Sequence, residues 1–280
     1  MTSLQFGAAI ASHLFDDVGA AGASALRLGL AAVILLGWAR PAVRSWSSER
    51  VLGSVALGVS MACMNAAFYE AVARLPLGAA ITIEFLGPLG LAVVLTRRWR
   101  ELLWVVLAVG GVAILGLGQH GGAGEPLDPL GVAAALVAAA FWAAYIVTGS
   151  RLATSESGVA GLAVASAVAA VLVVPFGVAS AGSSLLDARV LALGAAMAVL
   201  ASVVPYSFEI RALARMAKRT FSILVSLEPA IGALVGFVLL GQRLEPASLV
   251  GVALVVAAGI GATATAPVEG DAPVLLPESA

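Results

Sequence analysis

The sequence predicts an all-α polytopic membrane protein of ten transmembrane helices, arranged as two inverted five-helix repeats. Three observations carry this. Hydrophobic residues fill 61% of the 280 positions and charged residues only 11%, against roughly 45–50% and about 25% in soluble domains. The apolar residues come in runs of the length that crosses a bilayer, which is about 20 helical residues. Two distant blocks also repeat each other at a fixed offset. A soluble fold of this size cannot hide so much apolar surface, so the bilayer is the solvent for most of the chain. The net charge of −1 offers no basic face for nucleic acid. Cys63, the single cysteine, has no partner for an intrachain disulfide and reads as a small packing residue inside a span.

The elements follow in order. Apolar runs lie at 22–39, 51–72, 77–96, 102–118, 129–149, 158–178, 188–208, 220–240 and 247–265. Before them, "LQFGAAIASHLF" (residues 4–15) is apolar but too short to span alone. It reads as the end of a tenth span, either cut short by a start codon assigned late or a true half-span. No cleavable signal peptide is read, because the N-terminus lacks a basic stretch and apolar runs continue along the chain. "QHGGAGEPLD" and "SAGSSLLD" read as flexible surface loops. The acidic, Pro-containing tail, 266–280, reads as disordered.

Orientation is expected from Lys and Arg. With ten spans, one side holds Arg40, Arg44, Arg50, Arg97, Arg98, Arg100, Arg151, Arg211, Arg215, Lys218 and Arg219. The other holds Arg27, Arg74, Arg189 and Arg243, a split of 11 to 4 among the 15 basic residues. Both termini are therefore expected in the cytoplasm. Trp38, Trp46, Trp99 and Trp104 fall at the same ends, where an aromatic belt belongs.

Shifting the chain by 141 positions lays "AVARLPLGAAITIEFLGPLGLAV" (Ala71–Val93) on "ALARMAKRTFSILVSLEPAIGAL" (Ala212–Leu234). Ala71, Ala73, Arg74 and Pro88 match Ala212, Ala214, Arg215 and Pro229. The block recurs five spans later. Five is odd, so the halves lie in opposite orientations, as in secondary transporters that bind substrate near the midplane. The expected halves are 1–118 and 129–265.

Each copy of the block carries an intramembrane acid beside a helix-weakening residue. Glu84 stands seven residues into its span, roughly 10 Å deep at about 1.5 Å per residue, and Glu228 is about equally deep in its own. A charge at this depth costs at least ~2.5 kcal/mol. Pro88 has no N–H, so the carbonyl of Glu84 loses its helical donor, and Pro229 frees that of Val225. Gly87 and Gly90 allow close approach of another backbone or a ligand. Such acceptor clusters suit an ammonium group or a proton. The other reading of each Glu is a structural carboxyl bonded to a neighbouring helix. Asn65 lies deep in a span, and the 141-residue shift places it on Tyr206, just after Pro205. Trp142 and Tyr145 share a helix face and can wall a small cavity or simply fill a core. Glu70 and Arg74, at i, i+4, read as an interfacial ion pair, and Gly232–Gly236 as a helix-packing GxxxG. His13 reads as a helix-end hydrogen bonder. The chain has two histidines, no H-E-x-x-H, no paired Asp within spans and no phosphate-binding G-x4-GK[ST]. An enzyme, a metal site and a nucleotide-driven pump are therefore not expected, nor is any cofactor.

"MNAAFYEAVARLPLGAAITIEFLGPLG" (Met64–Gly90) and "VPYSFEIRALARMAKRTFSILVSLEPA" (Val204–Ala230) resemble the drug/metabolite transporter superfamily. Within it, they resemble EamA-domain carriers of the RhtA type, the threonine/homoserine exporters. "GASALRLGLAAVILLGWARP" (Gly22–Pro41) and "FWAAYIVTGSR" (Phe141–Arg151) fit as well. The resemblance implies two EamA repeats in an inner-membrane exporter of small amino acids, coupled to the proton gradient. Other metabolites or drugs are the alternative cargo. The residues it carries over are Asn65, Glu84, Gly87, Pro88, Tyr206, Glu228 and Pro229. The family's A-K-x-L-F reads "ASHLF" here, with Ser12 for Lys, so a cation that would meet a substrate carboxylate is expected to be missing. Gln242 stands where the family's L-G-E has Glu.

Overall fold

The computed structural model describes residues 2–75, 77–95, 99, 102–118, 128–153, 158–225, 227–228, 231 and 246–264, with backbone alone at 2, 4–13, 15–16, 77–79, 82, 115–118, 248 and 262–264. Among these, all regular structure is helical. The helices are α1 (Thr2–Ala39), α2 (Ser48–Val72), α3 (Leu77–Glu84), α4 (Leu86–Leu95), α5 (Leu102–Gly118), α6 (Pro129–Ala153), α7 (Gly158–Ala181), α8 (Ala188–Ala198), α9 (Val204–Leu213), α10 (Lys218–Val225) and α11 (Pro246–Ala264).

Five stretches are long and apolar enough to cross a membrane: Asp17–Ala39, Ser48–Val72, Pro129–Ala153, Gly158–Leu186 and Ala188–Leu213. Leu86–Leu95, Leu102–Ile114 and Leu249–Gly261 are shorter apolar helices. The outward faces are apolar: Val94, Val171, Phe176, Val106 and Ile260 are all exposed, the reverse of a soluble surface and the surface that lipid requires. Inside, alanine dominates, with Ala108, Ala163, Ala165, Ala169, Ala198 and Ala258 buried in one cluster. Helices in lipid gain little from burying apolar area against one another. Small residues that permit close van der Waals contact hold them together instead.

Three features differ from the sequence expectation. The short first run is continuous with the second: α1 runs from Thr2 to Ala39 and turns at Gly19, where φ is +67°, a conformation only glycine adopts cheaply. The segment "SAGSSLLD" is an ordered connection and not a flexible loop. Gly182–Leu186 forms a 3-10 turn, Leu185 is buried, and Asp187 caps α8 by accepting from the N–H groups of Arg189 and Val190. An apolar anchor and a cap side chain outweigh the Gly and Ser content. Third, the span beginning at 188 extends to Leu213 through a π-helical turn, Val199–Val203.

The most extensive helix contact is between α1 and α7, followed by α2 with α6, α5 with α11, α2 with α7 and α1 with α8. Arg40, Arg44, Arg50, Arg151, Arg211, Arg215 and Lys218 lie in the connections after α1 and α9 and in the adjoining ends of α2, α6, α9 and α10. There Arg50 stacks over Trp46 at 3.9 Å and Arg211 over Trp38 at 5.8 Å. The opposite end holds paired charges. Arg74 donates to Glu70 at 2.6 Å and reaches Asp128 at 3.6 Å, and Arg189 reaches Asp17 at 3.6 Å. Arg27 belongs to neither end. The sequence count places it among loop charges, but it stands ten residues beyond Asp17 inside the α1 span.

Candidate functional site

The site grows from one cation on α1. Arg27 donates through Nη2 to Oδ1 of Asn65 on α2. Asn65 is 4% exposed, and its Nδ2 donates back to the Met61 carbonyl at 2.7 Å. That second bond fixes which side of the amide faces α1. The NH2 group is held by its own helix, so the oxygen is the atom presented to the guanidinium. Tyr69, one turn beyond Asn65, and Tyr206 on α9 are electrostatic neighbours of Arg27, and the Tyr206 hydroxyl meets both Arg27 and Asn65. Asn65 and Tyr206, matched by the 141-residue shift, thus face each other.

Three carboxyls lie near this centre. Glu84 ends α3 within electrostatic range of Arg27 and of Glu228. Glu209, on α9, is within the same range of Glu228. The Tyr145 hydroxyl on α6 donates to Oε2 of Glu209 at 2.7 Å. Tyr145 is 1% exposed, and its ring lies 5.8 Å from that of Tyr206. All three tyrosines of the chain therefore stand around the buried charges. On the same helix face, Trp142 packs edge-on against Phe85 at 4.8 Å, a favourable aromatic geometry.

Local backbone irregularities place these groups. α3 ends at Glu84 and α4 begins at Leu86; Phe85 between them still donates to the Ile81 carbonyl at 3.0 Å and accepts from the Leu89 N–H at 3.2 Å, whereas Pro88 has no N–H to give the Glu84 carbonyl. Pro88 and Gly87, both buried, follow in the first turn of α4. A Cβ on Gly87 would stand 2.0 Å from the Ala139 carbonyl oxygen, so its bare backbone lets α4 press on α6. Gly90 is exposed and faces open space, with nothing within 4 Å of a would-be Cβ. Pro205 opens α9 directly after the π turn. A proline cannot donate to the preceding turn, and a wider turn absorbs that missing bond; such turns are frequent at functional sites. Pro229, Gly232–Gly236 and Gln242 lie outside the described residues, as do the side chains of Ser12 and His13.

A cavity of about 250 Å³ opens beside Glu209 and Glu228, walled by Pro205, Phe208, Phe221 and Val225. It continues past Ala212 and Met216 toward the arginine-rich end. It is smaller than the roughly 300–1,000 Å³ of drug-sized sites. A larger open depression, about 640 Å³, lies at the opposite end around Asp17, Ser183 and Arg189. It is a surface concavity at the turn before α8 and touches none of the buried acids. Among the described residues, no group of His, Cys, Asp and Glu is arranged to hold a metal ion.

Comparison with known proteins now has a site to refer to. The EamA-like transporter family model matches residues 129–263. The threonine/homoserine exporters RhtA of Salmonella typhimurium (strain LT2) and of Escherichia coli (strain K12) are each 42% identical over 266 residues, 95% of this chain and 89% of theirs. This chain belongs to the EamA-like transporter family. A solved crystal structure 21% identical in sequence shares the fold, with a TM-score of 0.73 over 94% of this chain and 93% of its own.

Within this EamA-like fold the structure adds two charged groups that sequence reasoning missed. Arg27 stands five residues into the apolar run that opens at Gly22 and reads as a boundary charge. Only the helix starting before Asp17 moves it inside. Glu209 lies two residues from Arg211 and reads as part of a polar helix end. Its spacing of three from Tyr206 is the signal that could have found it. Arg27 also corrects one expectation: with Ser12 replacing the family's lysine, a site cation is still present, supplied by α1.

Proposed function

We propose that this chain exports small amino acids such as threonine and homoserine from the cytoplasm, by proton antiport with alternating access. The observation that carries the reading is a cation and three carboxyls held together inside a bundle of membrane-length helices, in a chain 42% identical to threonine/homoserine exporters. A zwitterion needs one site of each sign. At the carboxylate, a proton and a substrate ammonium take turns as partner, so that group is not left as an unpaired charge in hydrocarbon, where the penalty is large. Glu84 is the coupling residue in this reading and Glu228 its helper, with Asn65, Tyr206, Trp142 and Tyr145 lining the substrate path and Gly87, Pro88, Gly90, Pro205 and Pro229 supporting the helix breaks.

The architecture belonging to this function is a ten-span inner-membrane protein, with inverted repeats at 1–118 and 129–265, a free tail at 266–280 and both termini in the cytoplasm. Two observations support the repeat. α3 (Leu77–Glu84) and α10 (Lys218–Val225) have the same length and are offset by 141 positions at both ends. The repeat mates α1 and α7 pack on each other, as do α5 and α11, an arrangement compatible with a two-fold relation between halves. Alternating access then follows from rocking one half against the other around the buried charges.

The test is transport. Cells expressing the protein tolerate added homoserine better than empty-vector cells, and Glu84→Gln removes the pH dependence of threonine flux in inverted vesicles. Equal tolerance, with the protein verified in the membrane, would refute the substrate. An unchanged pH profile in the variant would remove Glu84 from coupling. Labelled metabolites and drugs in the same vesicles test the alternative cargo.

A further inference from the structure

We infer that Arg27 is the anchor for the carboxylate of a zwitterionic substrate, with Glu84 facing it to receive the ammonium. The inference rests on the export reading and names the substrate class and polarity of that site.

The guanidinium is under-used where it stands. It has five N–H donors in a rigid fork; one nitrogen, Nη2, is bonded to Asn65, and the Tyr206 hydroxyl also meets the guanidinium. Nε is buried and finds no acceptor among the described residues. An arginine kept in mid-membrane only to join two helices would have its donors satisfied by those helices, because an unmet buried donor is destabilising. Nε and one terminal nitrogen present two parallel N–H groups, the geometry that a carboxylate accepts in bidentate fashion.

The surroundings set the orientation. Glu84 ends α3, and its charge is within range of Arg27. Arg27 and Glu84 are of opposite sign and come from different helices. An α-amino acid carries its carboxylate and ammonium on one carbon, so it matches such a pair when the carboxylate meets Arg27 and the ammonium meets Glu84. An amino alcohol or amino amide has no carboxylate and would leave the guanidinium buried and unpaired. A site built on a specific buried polar group rejects analogues lacking its partner more strongly than an apolar pocket can.

The experiment uses inverted vesicles, labelled threonine, and wild type, Arg27→Gln and Arg27→Lys at matched membrane levels. Threoninol and threonine amide are compared with homoserine as unlabelled competitors. Expected are a KM raised roughly 100-fold in Arg27→Gln, partial recovery in Arg27→Lys, and competition by threoninol and the amide roughly 100-fold weaker than by homoserine. An unchanged KM in Arg27→Gln, or competition by threoninol equal to that by homoserine, overturns the inference while leaving export standing. If Arg27→Gln does not reach the membrane, the competitor series on wild type decides alone. Absence of threonine and homoserine transport by wild type overturns the export reading, and this inference with it.

Discussion

Tyr145 holds Glu209 by a single hydroxyl, and a single atom tests what that bond contributes. In Tyr145→Phe the ring still fills its buried position beside Tyr206, but Glu209 loses its donor. Leaving a buried polar group without its partner costs about 1–3 kcal/mol. Thermal unfolding in detergent should therefore start at lower temperature in Tyr145→Phe. Glu209→Gln, which keeps a side-chain oxygen to accept from the Tyr145 hydroxyl, should lose much less. An unchanged unfolding temperature in Tyr145→Phe would show that the hydrogen bond contributes nothing to stability. The neighbouring Arg27–Asn65 contact works differently, since Asn65 is already oriented by its own helix through the Met61 carbonyl.

At the scale of the element, the broken span α3–α4 is the part whose geometry makes the site. Glu84 is the last residue of α3, its carbonyl without a donor because Pro88 has no N–H, and α4 reaches α6 because Gly87 has no side chain. Gly87→Val would drive a Cβ into the Ala139 carbonyl at 2.0 Å. The helices must separate, and overpacking of this kind typically destabilises by about 1–3 kcal/mol. The expected result is a lower unfolding temperature with transport reduced, because Phe85 and Trp142 lose their contact as α4 leaves α6. Gly110→Ala, on α5, is the control: its Cβ meets nothing within 4 Å, so stability and flux should be unchanged. A stable, fully active Gly87→Val would show that α4 and α6 need not approach closely.

At the scale of the whole molecule, the two ends are chemically distinct. One carries stacked arginine–tryptophan pairs, Arg50 with Trp46 and Arg211 with Trp38. The other carries carboxylate–arginine pairs, Arg74 with Glu70 and Arg189 with Asp17. The positive-inside tendency puts the first end in the cytoplasm. Removing Arg27 from the loop count, since it lies inside α1, strengthens that expectation. The lone Cys63 makes the check simple. In a Cys63→Ala background, a membrane-impermeant maleimide should label Ser183→Cys in intact cells and leave Ser48→Cys unlabelled until the membrane is opened. The reverse pattern would invert the protein and turn the cavity beside Glu209 and Glu228 to face outward.

Much of this molecule was legible before any coordinates. Composition and run length were enough to specify an all-helical membrane chain, because hydrocarbon tolerates no unsatisfied backbone and so leaves few options for long apolar runs. The motifs around Glu84 and Glu228 pointed to the transporter family. Proline and glycine near Glu84 announced an interrupted helix, since those residues weaken helices wherever they stand. Arg27 and Glu209 were not legible, although each is plain in the sequence. A charge near the end of an apolar run has the same local signature at the lipid surface or one turn deeper. What separates the two cases is where the helix begins and which helices cover it. Only the packing of α1, α2, α6 and α9 decides that Arg27 meets Asn65 and that Tyr145 meets Glu209. Those contacts join residues 38 and 64 positions apart, a range at which neither helical periodicity nor hydropathy carries information.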